Sequence, residues 1–132
     1  MSNYIINTTN KYIESYNKSI SEPEKFWDEL AKNNFSWYER WSKVLEWDFK
    51  KAKIEWFKHA KLNITVNCID RHAKLTPEKI AIIFEPNNPN EKPKSFTYLE
   101  LLKEVSKTAN VLKSIGVKKG DRVCIYLPMI PE

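Results

Sequence analysis

Cys68 and His72 stand four residues apart, a spacing that on a helix puts both on one face, where a thiolate and an imidazole could share a metal. Zinc needs three or four ligands, and no second pair occurs at ligand spacing, so a packed cysteine and a hydrogen-bonded histidine are the plainer reading. Asp70 and Arg71 carry opposite charges between them, but adjacent residues on a helix point apart, which fits a structural or surface role. His59 has no acid or nucleophile at a suggestive spacing and is expected to face solvent. Serines, histidines and aspartates all occur, yet no Gly-x-Ser-x-Gly elbow exists to present a nucleophile. Lys119 and Arg122 flank Gly120 and could touch an anion, although a polar turn accounts for them. The expectation is that this chain holds no catalytic, cofactor-binding or metal-binding residue of its own.

Glycine usage points the same way. The 132 residues include two glycines, Gly116 and Gly120, against an average usage of about 7%. Loops that wrap phosphates need glycine, because backbone N–H groups must approach the anion closely and often at positive φ. Both glycines here have structural work at a helix end and a turn, so neither a Walker loop nor a dinucleotide fingerprint is present.

The elements that would position any site divide near residue 62. Residues 1–61 are rich in aromatics and show no clear strand pattern. Ser21-Glu22-Pro23-Glu24 reads as a helix start, with Ser21 as cap, Pro23 in the first turn and Glu24 at the capping-box position. Phe26, Trp27 and Leu30 then share a face at helical spacing. Trp27, Trp37, Trp41, Trp47 and Trp56 follow within about thirty residues, with Phe35, Tyr38, Phe49 and Phe57 among them. Such a cluster could stack bases or sugars, lie at a membrane interface, or pack as an apolar wrap on a larger body. Interleaved Glu39, Arg40, Glu46, Asp48 and Glu55 spoil a basic stacking groove, which favours packing. Lys50, Lys51, Lys53, Lys58 and Lys61 read as a solvated helix face.

Residues 62–132 read as α/β. Asn63 can cap a helix running to about Leu75, with Ile64, Cys68 and Leu75 inward, ended by Thr76-Pro77. Ile80 to Phe84 is a continuous apolar run, as in a strand buried on both faces. Asn87-Asn88-Pro89-Asn90 is a turn or exposed loop, and Ser95-Phe96 a short strand. Thr97 and Glu100 form a capping box, and Tyr98, Leu102, Val105, Ala109 and Leu112 mark the buried face of the helix that follows. Gly116 supplies a left-handed cap, with Lys113 at the negative end of the helix. Val117 to Asp121 is a turn, and Val123 to Leu127 a second buried strand, which together suggest a parallel or mixed sheet. Pro131-Glu132 has the composition of a new first helical turn, so the chain is expected to be a truncated piece.

Bulk properties set outer limits. Hydrophobic residues make up 42% of the chain and aromatic residues 13%, enough for a core and unlike a disordered tail. No run approaches the roughly 18 apolar residues that span a bilayer, and the polar start from Met1 to Asn10 lacks the pattern of a secretory signal. Cys68 and Cys124 do not make a disulfide framework, which suits a reducing, cytoplasmic setting. The net charge of +5 would suit phosphates, but lysines on exposed faces explain it without nucleic acid.

Several separate stretches together resemble one family. Residues Tyr16 to Trp27, reading YNKSISEPEKFW, look like the N-terminal helical segment of AMP-forming acetyl-CoA synthetases. Trp56-Phe57, Leu62-Asn63 and Asn67-Cys68-Ile69-Asp70-Arg71-His72 resemble the entry into the adenylate-forming domain of that family. Phe96 to Leu101 is similar to the family's helix start, and Gly116 to Val123 running into Tyr126 to Glu132 is the most specific match. Members commonly carry a glycine just before the Leu-Asn pair, where this chain has His59-Ala60-Lys61.

The resemblance implies a helical, aromatic-rich wrap over 1–61, followed over 62–132 by the first βα unit of an AMP-binding domain. It also implies a two-step reaction of the whole enzyme. Acetate attacks the α-phosphate of ATP, with Mg2+, to give acetyl-adenylate and pyrophosphate, and the thiol of coenzyme A then displaces AMP. The phosphate loop, the carboxylate pocket and the mobile lysine of the family lie beyond residue 132, so no family catalytic residue transfers to this sequence. Expected partners are acetate, ATP and CoA through the remainder and other ligase chains, with no nucleic acid and no membrane. The alternatives are a ligase for another short acid such as propionate, a stand-alone binding module derived from the ligase N-terminus, and a nucleic-acid binder using the first half.

Overall fold

A computed structural model describes residues 5–131 of the chain. Met1 to Tyr4 and Glu132 lie outside the described residues, and with them part of the polar start and of the expected new helix at Pro131-Glu132. The chain is mixed helix and sheet and forms two compact units that divide between Ile64 and Thr65.

The first unit opens with helix α1 (Thr9–Ser21) and helix α2 (Pro23–Asn34). Thr8 Oγ1 caps α1 by accepting from the Lys11 amide at 3.3 Å. The expected cap at Ser21 is corrected: Ser21 is the last residue of α1, and Glu22 stands between the helices with φ −131° and ψ 56°. The reason is Pro23, which has no N–H to continue α1 and pushes its predecessor out of the helical region. A salt bridge of 3.2 Å between Lys18 and Glu29 ties the two helices.

The run that showed no strand pattern folds as a hairpin. Strand β1 (Lys43–Asp48) pairs antiparallel with β2 (Lys53–Lys58), with Leu45 opposite Trp56 and Trp47 opposite Ile54. Lys50, Lys51, Lys53 and Lys58 therefore sit on a hairpin and not on a helix face, while Lys61 bridges to Glu39. The turn Phe49 to Ala52 contains no glycine. Asp48 Oδ1 accepts from the Lys51 amide at 3.2 Å, and Ala52 takes a left-handed φ of 48°. That backbone would be cheap for glycine, which is why the sequence carried no turn signal.

The second unit begins at Thr65, continues as a wide π-helical turn (Val66–Asp70), and proceeds into α3 (Arg71–Leu75). Ile64, Cys68 and Leu75, expected inward, are exposed, whereas Asn67 and Ala73 are buried. A π turn takes one residue more than an α turn, so it rotates the following face by about 100° from a strict helical period. Thr76 ends α3 before Pro77, as expected.

Strand β3 (Ile80–Phe84) pairs antiparallel with β4 (Lys94–Thr97), with an irregularity between Ile80 and Ile82. The parallel or mixed sheet buried on both faces is not formed among the described residues, and Ile83 is 72% exposed. Val123 to Leu127 is likewise unpaired and exposed, because an extended apolar run becomes a strand only where another edge accepts its hydrogen bonds. Helix α4 (Tyr98–Ser114) carries the expected capping box, with the Glu100 amide donating to Thr97 Oγ1 and the Thr97 amide to Glu100. At its far end the Gly116 amide donates to the Lys113 carbonyl and the Val117 amide to the Leu112 carbonyl, a Schellman motif around Gly116 at φ 92°. Tyr98, Leu102, Val105 and Leu112 are half-buried, but Ala109 is exposed.

The left-handed Ala52 generates a test. Replacing it with glycine removes a steric cost of roughly 1–2 kcal/mol and adds roughly 0.5–1 kcal/mol of chain entropy. Ala52→Gly is expected to raise the melting temperature of the first unit by about 2–4 °C in a thermal scan, and an unchanged or lower midpoint would contradict the turn geometry.

Candidate functional site

None of the residues weighed for chemistry converge. Cys68 is exposed, and among the described residues no group of three or more His, Cys, Asp or Glu side chains lies together. His72 stacks on Tyr98 with ring centroids 4.9 Å apart, and Arg71 Nε lies 3.5 Å from its Nε2. Asp70 Oδ2 is buried without a hydrogen-bond partner. His59 is exposed and its Nδ1 lies 2.9 Å from Ser42 Oγ, a contact that spacing could not reveal. Lys119 and Arg122 are exposed around a turn in which the Lys118 amide donates to Asp121 at 2.7 Å.

The residues that do converge are aromatic. Side chains from α2, from the connection after it and from β2 form one cluster in the first unit. Trp37 lies 5.0 Å from Trp41 and 5.6 Å from Phe57, and Trp41 lies 4.8 Å from Phe57. Trp27 meets Trp56 at 6.2 Å in an edge-on arrangement. Two of the indoles spend their N–H groups inside the cluster: Trp37 Nε1 donates to the Ala31 carbonyl at 2.9 Å, and Trp41 Nε1 donates to Asp28 Oδ1 at 2.8 Å. Trp47 stands apart on the exposed face of the hairpin.

Beside the cluster is an open apolar hollow of about 450 Å³, lined chiefly by Trp27, Leu30, Phe35, Trp37, Phe57 and Leu62. A small-molecule site of this size carries a few polar groups aimed inward to orient the ligand. Here Asn34 is the one polar side chain of the lining, and its amide donates to the Leu30 carbonyl at 2.8 Å. The hollow is suited to receive apolar protein surface.

The charges near the cluster are engaged in structure. Glu46 and Glu55 stand opposite one another across the hairpin, an unfavourable like-charge pair. Lys53 lies 2.6 Å from Glu46 and 3.7 Å from Glu55, and Lys58 lies 2.7 Å and 3.8 Å from the same two carboxylates. Hydrogen bonds from Lys53 and then Lys58 pull the Glu46 carboxyl down from its ordinary 4.5 to about 2. Lys32, and after it Trp41, lowers the Asp28 carboxyl in the same direction.

Exposure is high throughout. Among the described residues, Ala31, Val44 and Ala73 are the buried apolar side chains, and no large side chain is fully enclosed. The chain exposes 11,242 Å². Two separate compact bodies of half this mass would together expose about 8,800 Å². The difference, over 2,000 Å², is surface that folded units of this size normally bury. No helix among the described residues is long and apolar enough to cross a membrane.

Residues 12–68 match the family described as the acetyl-coenzyme A synthetase N-terminus, and residues 69–132 match the AMP-binding enzyme family. An acetyl-coenzyme A synthetase of Magnetococcus marinus is 51% identical over 122 residues, covering 92% of this chain and 19% of that protein. One from Leptospira biflexa is 53% identical over 123 residues, covering 92% and 18%. Acetyl-coenzyme A synthetase 2 of Pseudomonas aeruginosa is 48% identical over 121 residues, covering 92% and 19%. The chain thus spans about a fifth of the length of the curated relatives it matches.

Two measurements check the electrostatics of the cluster. Because the Glu46 pKa is depressed, its contribution to stability is complete above about pH 4.5 and is lost as pH falls toward 2. Carboxyl NMR is expected to show Glu46 titrating near 2, and Glu46→Gln to flatten the stability profile between those two values. Trp41→Phe keeps the ring but removes the donor to Asp28; denaturant unfolding is expected to show a loss of about 1 kcal/mol, and no loss would mean the bond is not formed in solution.

Proposed function

Because the chain belongs to the acetyl-coenzyme A synthetase family, we propose that it supplies the N-terminal part of an AMP-forming acetate–CoA ligase. The whole enzyme would make acetyl-CoA from acetate, ATP and CoA through acetyl-adenylate, in a reducing cytoplasm, where Cys68 and Cys124 stay free as they are here. Residues 1–61 serve as an aromatic-rich wrap, and residues 62–132 as the start of the AMP-binding domain. The observation that carries this reading is the match of both family descriptions in sequence along one chain, over 12–68 and then 69–132.

The described residues do not fit the groups the reaction requires. Gly116 and Gly120 both lie at turns, at φ 92° and 99°, a backbone that favours glycine. Among the described residues no group of three carboxylate, histidine or cysteine side chains is gathered that would hold Mg2+. We propose a structural part for this chain. Its part is to cover and frame the catalytic body, and the excess exposed surface and the Trp27–Phe57 hollow support that role.

The test is to isolate the product of the native gene with an antibody against the aromatic first half, and to assay acetate-dependent pyrophosphate exchange and CoA thioester formation. A product several times heavier than 15.7 kDa with Mg2+-dependent activity is expected, and the 132-residue chain alone is expected to be inactive. A native product of 15.7 kDa without ligase activity would defeat the proposal.

A further inference from the structure

We draw no further inference here: the strongest candidate, the open apolar hollow of the first unit between Trp27, Leu30, Phe35, Trp37, Phe57 and Leu62, carries nothing because nothing in the structure shows what covers it.

Discussion

A single backbone torsion, the φ of +50° at Phe57, decides which side chains of the first unit meet. In a regular strand Trp56 and Phe57 would point to opposite faces, and Lys58 would return to the Trp56 side. Instead the rings of Trp56 and Phe57 lie 5.9 Å apart, and Lys58 reaches Glu46, whose side chain regular alternation would put on the other face. The left-handed residue therefore does two things at once. It delivers Phe57 to Trp37 and Trp41, and it delivers a second lysine to the opposed Glu46 and Glu55. A left-handed phenylalanine costs of order 1–2 kcal/mol, and it persists because the aromatic contacts and the two lysine bridges oppose its relaxation.

From that point outward the unit is held by hydrogen bonds as much as by area. Trp37 and Trp41 each anchor one end of a ring to α2, at Ala31 and Asp28, so the cluster fixes the connection after the helix as well as the hairpin. His59 continues the irregular backbone at φ 65° and contacts Ser42, next to the start of β1. The stretch His59-Ala60-Lys61 is also where this chain departs from the glycine common in the family it resembles. The left-handed torsion of His59 carries a steric cost that the Ser42 contact offsets in part.

What was legible in the sequence was what local chemistry decides. The Thr97–Glu100 box, the Gly116 cap, the Asn87 to Asn90 turn and the stop before Pro77 each depend on groups within a few residues of one another, and each is found. The mixed α/β class was legible for the same reason. The hairpin was not, because its turn is made by Asp48 and a left-handed Ala52 in place of a glycine, and because alternation fails at Phe57. The inward face of the third helix was misplaced by one π turn, which leaves no mark in apolar spacing. The aromatic cluster was legible as composition, and its preference for packing over stacking is carried by the indole N–H groups, which the sequence cannot direct.

The abundance of exposed apolar surface has an origin in size. A unit of some 65 residues buries about 60% of the surface its unfolded chain exposes, and its stability is marginal even when compact. These two units bury less than that norm. In the first, ring–ring contacts hold the edges of a hollow whose floor is open; in the second, α4 covers one face of a two-stranded sheet that has a free edge. Surface of this kind gains free energy by being covered, because apolar area then leaves water.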